Sequence, residues 1–169
     1  MDQKLPPLDF DLETTLPYLL NRAGVRIGQS FSAEIARHEL ALPEWRILAS
    51  LLGREWQSVS ELAAHTSAEL SRASRLAAGL ERRGLLKRKA SGVDARAVQL
   101  ALTAKGRALA LQIVPLAQLY ERVALGGMSA EEVGSLKRLL GKVYENMDAL
   151  RPAPARARRG AAQAAGTRA

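Results

Sequence analysis

From about Thr15 onward, apolar residues recur at Leu16, Leu20, Ala23, Ile27, Phe31 and Ile35. Steps of three and four trace one stripe of a long amphipathic helix, expected to end near His38 to Leu40. A second helix opens at Pro43, whose missing N–H costs nothing in a first turn, and should bury Trp45, Leu48 and Leu52. The stretch "SVSELAAHT" starts a short third helix, with Ser58 and Glu61 at capping-box spacing, and Thr66 with Glu69 repeats that signal eight residues later. Two short helices across a tight turn are a helix-turn-helix, here without the glycine often found in the turn. The fourth helix, "ELSRASRLAAGLERRG", should bury Leu70, Ala73, Ala77 and Leu80 and stop at Gly84, a residue suited to a left-handed C-cap.

The period then changes. In "LLKRKASGVDARAVQLALT", Val98, Leu100 and Leu102 alternate with Ala97, Gln99 and Ala101, as in a strand with one buried face. Pairing it with "LLKRK" across the tip "SGVD" predicts a two-stranded hairpin. Thr103 can cap a fifth helix carrying Leu109, Ile113, Leu116, Tyr120 and Val123, which breaks at Gly126-Gly127. Ser129 and Glu132 form a further capping box, and the last helix carries Val133, Leu136, Leu140, Val143, Met147 and Leu150, a heptad seam. The expected architecture is mainly α with a small β-hairpin wing, a winged helix-turn-helix flanked by long helices. Those flanking helices have more apolar surface than a domain of this size needs and invite a second copy of the chain.

Charge adds a partner to this picture. The net charge of the 169 residues is +8, but the last 19 hold five arginines and no acid, which leaves 20 basic against 17 acidic residues before position 151. Residues 1–14 read as an N-terminal arm and 151–169 as a low-complexity, disordered basic tail. Within the fold, residues 66–96 carry eight bases against Glu69, Glu81 and Asp94, the electrostatic footprint of a polyanion partner. With the fourth helix's apolar stripe inward, Ser71, Arg72, Ser74, Arg75 and Arg82 lie on or beside the opposite face. That surface suits the major groove of duplex DNA, where arginine pairs bidentately with guanine and serine reaches a base edge or a phosphate. Arg96 at the hairpin tip suits a narrow minor groove, because a guanidinium is always charged and weakly hydrated. Asp94 has the wrong sign for phosphate, so it either caps the turn or braces Arg96.

The absence of cysteine removes thiolate chemistry, disulfides and cysteine-based zinc sites. His38 and His65 are too far apart for a helical ligand pair, so no metal and no cofactor is expected. No nucleophile–base pair or phosphate loop appears, which argues against an enzyme. The acidic start lacks the pattern of a signal peptide, and no window has the apolar length of a membrane span, so a cytoplasmic protein without membrane contact is expected.

Four segments together resemble the MarR family of bacterial transcriptional regulators: "LPEWRILASL", "SELAAHTSAELSRASRLAAGLERRGLLKR", "DARAVQLALTAKG" and the heptad helix. The similarity spans about residues 15–150. It implies a homodimer held by helices in 15–40 and 103–150, with 43–102 forming the DNA-binding winged helix and a pseudo-palindromic operator as partner. It further implies recognition-helix contacts from Ser71, Arg72, Ser74 and Arg75, and entry of Arg96 into the minor groove, with Asp94 and Lys89 the other candidate residues of the wing. Ala95 departs from the basic or bulky residue usual between Asp and Arg. Ala77, Ala78 and Gly79 make the second half of the recognition helix smaller than usual. The family's pattern of repressors released by small aromatic or anionic ligands makes Asn21, Arg22, Arg26, His38, Trp45 and Arg46 candidate pocket residues. The competing reading is a non-specific, architectural nucleic-acid binder, for which the basic tail speaks.

Overall fold

The protein is described by a computed structural model covering residues 10–90 and 98–147. After a short 3-10 turn, Leu12–Thr14, come helix α1 (Leu16–Ile35), a second 3-10 turn (Ala36–His38) and α2 (Leu42–Gly53). Strand β1 (Gln57–Ser58) leads directly into α3 (Val59–His65), followed by α4 (Leu70–Arg82), strands β2 (Leu86–Ala90) and β3 (Val98–Leu102), α5 (Ala104–Ala124) and α6 (Ala130–Met147). No helix among the described residues is long and apolar enough to cross a membrane.

The hairpin has a partner that the alternation pattern did not predict. β1 adds to the far side of β3, giving an antiparallel sheet of order β1-β3-β2 with Gln57 opposite Leu100 and Leu86 opposite Leu102. Two residues are too few to display a period, which is why the third strand escapes a sequence reading. Ser58 ends that strand and caps α3. Its hydroxyl accepts from Glu61 N, while Glu61 Oε2 accepts from Ser58 N at 2.8 Å. This backbone hydrogen bond, joined by the Ser58 hydroxyl, holds the Glu61 carboxyl below its ordinary pKa.

The second expected cap does not form. Thr66 is buried and its hydroxyl donates backwards to Leu62 O at 2.7 Å, while Glu69 starts α4 without a side-chain cap. The turn between the two helices is made instead by Ser67, at φ 52°, which takes the left-handed conformation a glycine commonly supplies. Leu70 is also not in the core. It is 55% exposed, because it opens α4 and the inward stripe begins one turn later, at Ala73, Ala77 and Leu80. Leu52 is half-buried and Leu51 buried in its place, and Val123 is exposed near the end of α5.

The core joins α1, α2, α4, the sheet and α5 through Ile35, Ile47, Leu48, Leu51, Leu80, Leu100 and Ile113. Phe31 stands edge-on to both Trp45 and Tyr120, with ring centroids 6.0 and 5.6 Å apart, so three helices share one aromatic contact. α5 continues through Pro115, although a proline there removes one helical hydrogen bond. Its first turn is fixed by Thr103, whose hydroxyl donates to Gly84 O at 2.7 Å and accepts from Gly106 N at 3.0 Å. Gly106 is buried against the backbone of Leu85: a Cβ built there would lie 2.0 Å from the Leu85 carbonyl oxygen. Threonine and glycine of "LTAKG" are thus one device for seating a helix on the turn before β2.

Residues up to Ala124 form one compact unit, and those from Leu125 another. In the second, Ser129 and Glu132 make the expected capping box, with Glu132 Oε2 2.7 Å from Ser129 N. α6 buries none of its side chains, and Leu139, Leu140, Tyr144 and Met147 are exposed.

Candidate nucleic-acid interface

Ser71, Arg72, Ser74 and Arg75 are all exposed on α4, opposite the buried Ala73, Ala77 and Leu80. The small alanines let α4 lie close against its neighbours, and the polar residues between them are left on one cationic face. Arg72 and Arg75 make no hydrogen bond or ion pair with another described residue. Other bases of the same segment are committed elsewhere. Arg88 makes a two-pronged pair with Glu81, reaching from β2 back to α4. Arg83 donates to Glu44 Oε1 at 3.2 Å and to Glu39 O at 2.7 Å. It thereby ties the end of α4 to the corner between α1 and α2, where Glu39 itself has φ 55°. Neither role was visible in a count of charges.

Lys89 lies on β2 with its ammonium 3.8 Å from the centroid of the Trp56 ring, and Lys87 Nζ is 5.2 Å from the same centroid. Trp56 was not a candidate; a lone tryptophan between a helix and a short strand, with two lysines at strand spacing later in the chain, is the only signal the sequence offers. Asp94, Ala95 and Arg96 lie outside the described residues.

The ligand candidates separate. Asn21 and Arg46 line an open cleft of about 780 Å³ between α1 and α2, together with Gly24, Val25, Gly28 and Leu42. Arg46 also borders two further clefts beside α3 and the turn into α4, of about 410 and 530 Å³. It makes no hydrogen bond or ion pair with another described residue. Arg22 and Arg26 are exposed on α1 but do not line these clefts; the Arg22 guanidinium lies 6.0 Å from the Tyr18 ring. His38 is half-buried in the second 3-10 turn and likewise lines none of the three. Trp45 is a core residue, 8% exposed, that borders the 530 Å³ cleft beside His65. His65 Nδ1 is 2.7 Å from Gln57 Oε1, and Gln57 Nε2 donates to Ser50 O and Arg54 O, so the buried glutamine is fully satisfied.

A helix-turn-helix whose second helix is followed at once by a hairpin, with a short strand completing the sheet, is a winged helix-turn-helix. The sequence profile of the MarR family matches residues 38–97. The HTH-type transcriptional repressor Rv2887 of Mycobacterium tuberculosis is 31% identical over 131 residues, 78% of this chain and 94% of that protein. The chain belongs to the MarR family. Among solved structures, the MarR family regulator SPO1453 of Silicibacter pomeroyi is 33% identical, with a TM-score of 0.69 over 80% of this chain and 99% of that one. BpsR of Bordetella bronchiseptica, whose DNA binding is regulated by 6-hydroxynicotinic acid, is 25% identical with a TM-score of 0.73, over 80% and 96% of the two chains.

Proposed function

We propose that this chain is a sequence-specific DNA-binding repressor that acts as a homodimer and is released by a small aromatic or anionic ligand. The observation that carries the reading is the face of α4: two arginines and two serines, exposed together, with neither guanidinium engaged by another described residue. Arginine left unpaired on a helix narrow enough for the major groove can form bidentate bonds to guanine, each contributing about 1–3 kcal/mol of discrimination. The relative Rv2887, a transcriptional repressor, supports the same assignment. Dimerisation is supported by the apolar residues left exposed on the first half of α1 and on α6. In the dimer, 15–40 and 103–150 supply the interface and 43–102 the DNA-binding part, while the wing brings Arg96 to the minor groove.

The effector reading rests on the cleft between α1 and α2. Its volume suits a small ligand, Arg46 supplies a cation that has no partner among the described residues, and Asn21 supplies a polar group on the facing helix. The ligand-regulated relative BpsR supports an aromatic acid as the class.

The test is a specificity ratio. Binding to a palindrome from the promoter of the chain's own gene should exceed binding to scrambled DNA by roughly 10³ or more at fixed salt. Equal curves on the two duplexes would instead establish a non-specific binder, the reading favoured by the arginine-rich stretch 151–169.

A further inference from the structure

Trp56 has a φ of 59°, a left-handed backbone that a bulky side chain rarely adopts. The chain is held there by its neighbour: Gln57 is fully buried, and its amide nitrogen donates to Ser50 O and Arg54 O, both at 2.9 Å. On β2, Lys87 and Lys89 stand opposite Ala101 and Gln99 of β3, so both lysines project from the face of the sheet opposite Leu100 and Leu102. There the indole receives them, with centroid distances of 5.2 and 3.8 Å. Neither ammonium has a carboxylate partner among the described residues.

We propose that Trp56 is a positioning residue for DNA binding, holding the Lys87 and Lys89 ammonium groups at the base of the wing where they meet a DNA phosphate. A free lysine loses much rotamer freedom when it engages a phosphate, and a side chain already held in place loses less. A carboxylate could also hold the lysines, but it would cancel the charge that the phosphate needs. An indole face attracts an ammonium through its quadrupole and leaves the net charge intact, with N–H donors free on the side away from the ring. Two like charges over one ring repel each other, so the arrangement gains further when a phosphate arrives between them.

The inference rests on the reading of the wing as a DNA-contacting element, and the experiment separates the two. The full chain and its variants are titrated against a labelled mixed-sequence duplex by fluorescence anisotropy across a salt series. Lys89→Ala should weaken binding and lower the slope of log K against log salt by about one. Trp56→Asn, whose side chain tolerates the left-handed backbone, should weaken binding about three- to tenfold with little change in slope. Trp56→Phe should restore most of the affinity, and Trp56→Leu, which keeps apolar bulk without a π face, should not. In a Lys87→Ala, Lys89→Ala background, adding Trp56→Asn should weaken binding little further. Urea midpoints of each variant report folding separately. If the Asn and Leu variants bind like the parent while Lys89→Ala is weakened, the positioning role is overturned and the DNA contact stands. If Leu restores binding as well as Phe, the π face is irrelevant and the proposal also fails. If Lys87→Ala and Lys89→Ala both bind like the parent, the wing contact itself is refuted, and the proposal with it.

Discussion

Gly106→Ala puts the seating of α5 to a test in which the sign is as informative as the size. In an ordinary helix interior, alanine is favoured over glycine by about 1 kcal/mol. At Gly106 the added Cβ falls 2.0 Å from Leu85 O and 2.9 Å from Leu85 C, whereas ordinary contact begins near 3.4 Å, so roughly 1.4 Å must be opened. Leu85 cannot easily retreat. Its N–H donates to Leu80 O, its carbonyl accepts from Thr103 N at 3.0 Å, and its side chain is 2% exposed. Overpacking of this kind costs about 1–3 kcal/mol, and backbone-to-backbone collision belongs at the upper end. Setting that against the helix gain leaves a net loss of about 2 kcal/mol, or a fall in Tm of roughly 4–8 °C for a chain of this length. Gly79→Ala in α4 is the matched control, since its Cβ meets only Arg82 Nη2 at 3.9 Å. It should stabilise by about 0.5–1 kcal/mol. Urea unfolding followed by circular dichroism, at one fixed protein concentration because association shifts apparent stability, reads both. A Gly106→Ala midpoint at or above that of the parent would show that α5 does not press on Leu85 as described.

Other perturbations address the site and its supports. Arg72→Ala or Arg75→Ala should lower operator affinity by about 1–3 kcal/mol if the guanidinium reads a base, and loss of equal size on operator and scrambled DNA would reassign that residue to phosphate. With the effector class proposed above, a small aromatic or anionic ligand, Arg46→Ala should abolish ligand-induced release from the operator without changing operator affinity; release that persists in the variant would exclude the α1–α2 cleft as the effector site. Breaking the Arg83–Glu44 pair, with side chains 33% and 18% exposed, should cost about 1 kcal/mol of stability, and an additive double-mutant cycle would show the two residues are not coupled. Ser58→Ala should lose about 1 kcal/mol. Because Glu61 titrates below its ordinary value in the folded chain, the parent's extra stability is present above the ordinary carboxylate range and lost as pH falls through the lowered folded value. Ser58→Ala keeps the backbone hydrogen bond to Glu61 and loses the hydroxyl's bond to that carboxylate, so its gap to the parent should narrow in acid without closing, because the hydroxyl also accepts from Glu61 N at every pH. A gap that does not narrow would argue against the hydroxyl–carboxylate bond.

What the sequence disclosed and what it withheld divide along contact distance. Helix stripes, the Ser58–Glu61 and Ser129–Glu132 boxes, the Gly84 and Gly127 stops and the β2–β3 alternation are local patterns, decided within a few residues. β1 is not local: Gln57 finds its partner in Leu100, and nothing in a two-residue strand announces that. The Thr66–Glu69 signal failed because a threonine hydroxyl has a competing acceptor one turn back, and burial next to Leu62 O decided the matter. Leu70 failed because a stripe says which way a residue points and not whether anything lies there. For the site, exposure of Ser71, Arg72, Ser74 and Arg75 followed from the same stripe. The commitment of Arg83 to a residue 39 positions away, and of Lys89 to an indole across the sheet, depends on tertiary register.

The exposed apolar residues bear on the proposed dimer through a different argument from their number. α1 buries Phe31 and Ile35 in its last turns, while Leu16, Leu19, Leu20, Val25 and Ile27 remain 37–50% exposed ahead of them. An amphipathic helix owes most of its stability to packing of its apolar face, and a helix of 18 residues standing alone in water is close to marginal. α6, which carries a heptad seam, buries none of its side chains among the described residues. Apolar side chains left exposed in numbers on one helix face mark an interaction surface, and in the proposed dimer a second copy supplies matching heptad surface at equal concentration by construction. Two α4 faces would then be presented together, which multiplies the discrimination of a single helix and converts a half-site preference into recognition of a palindrome.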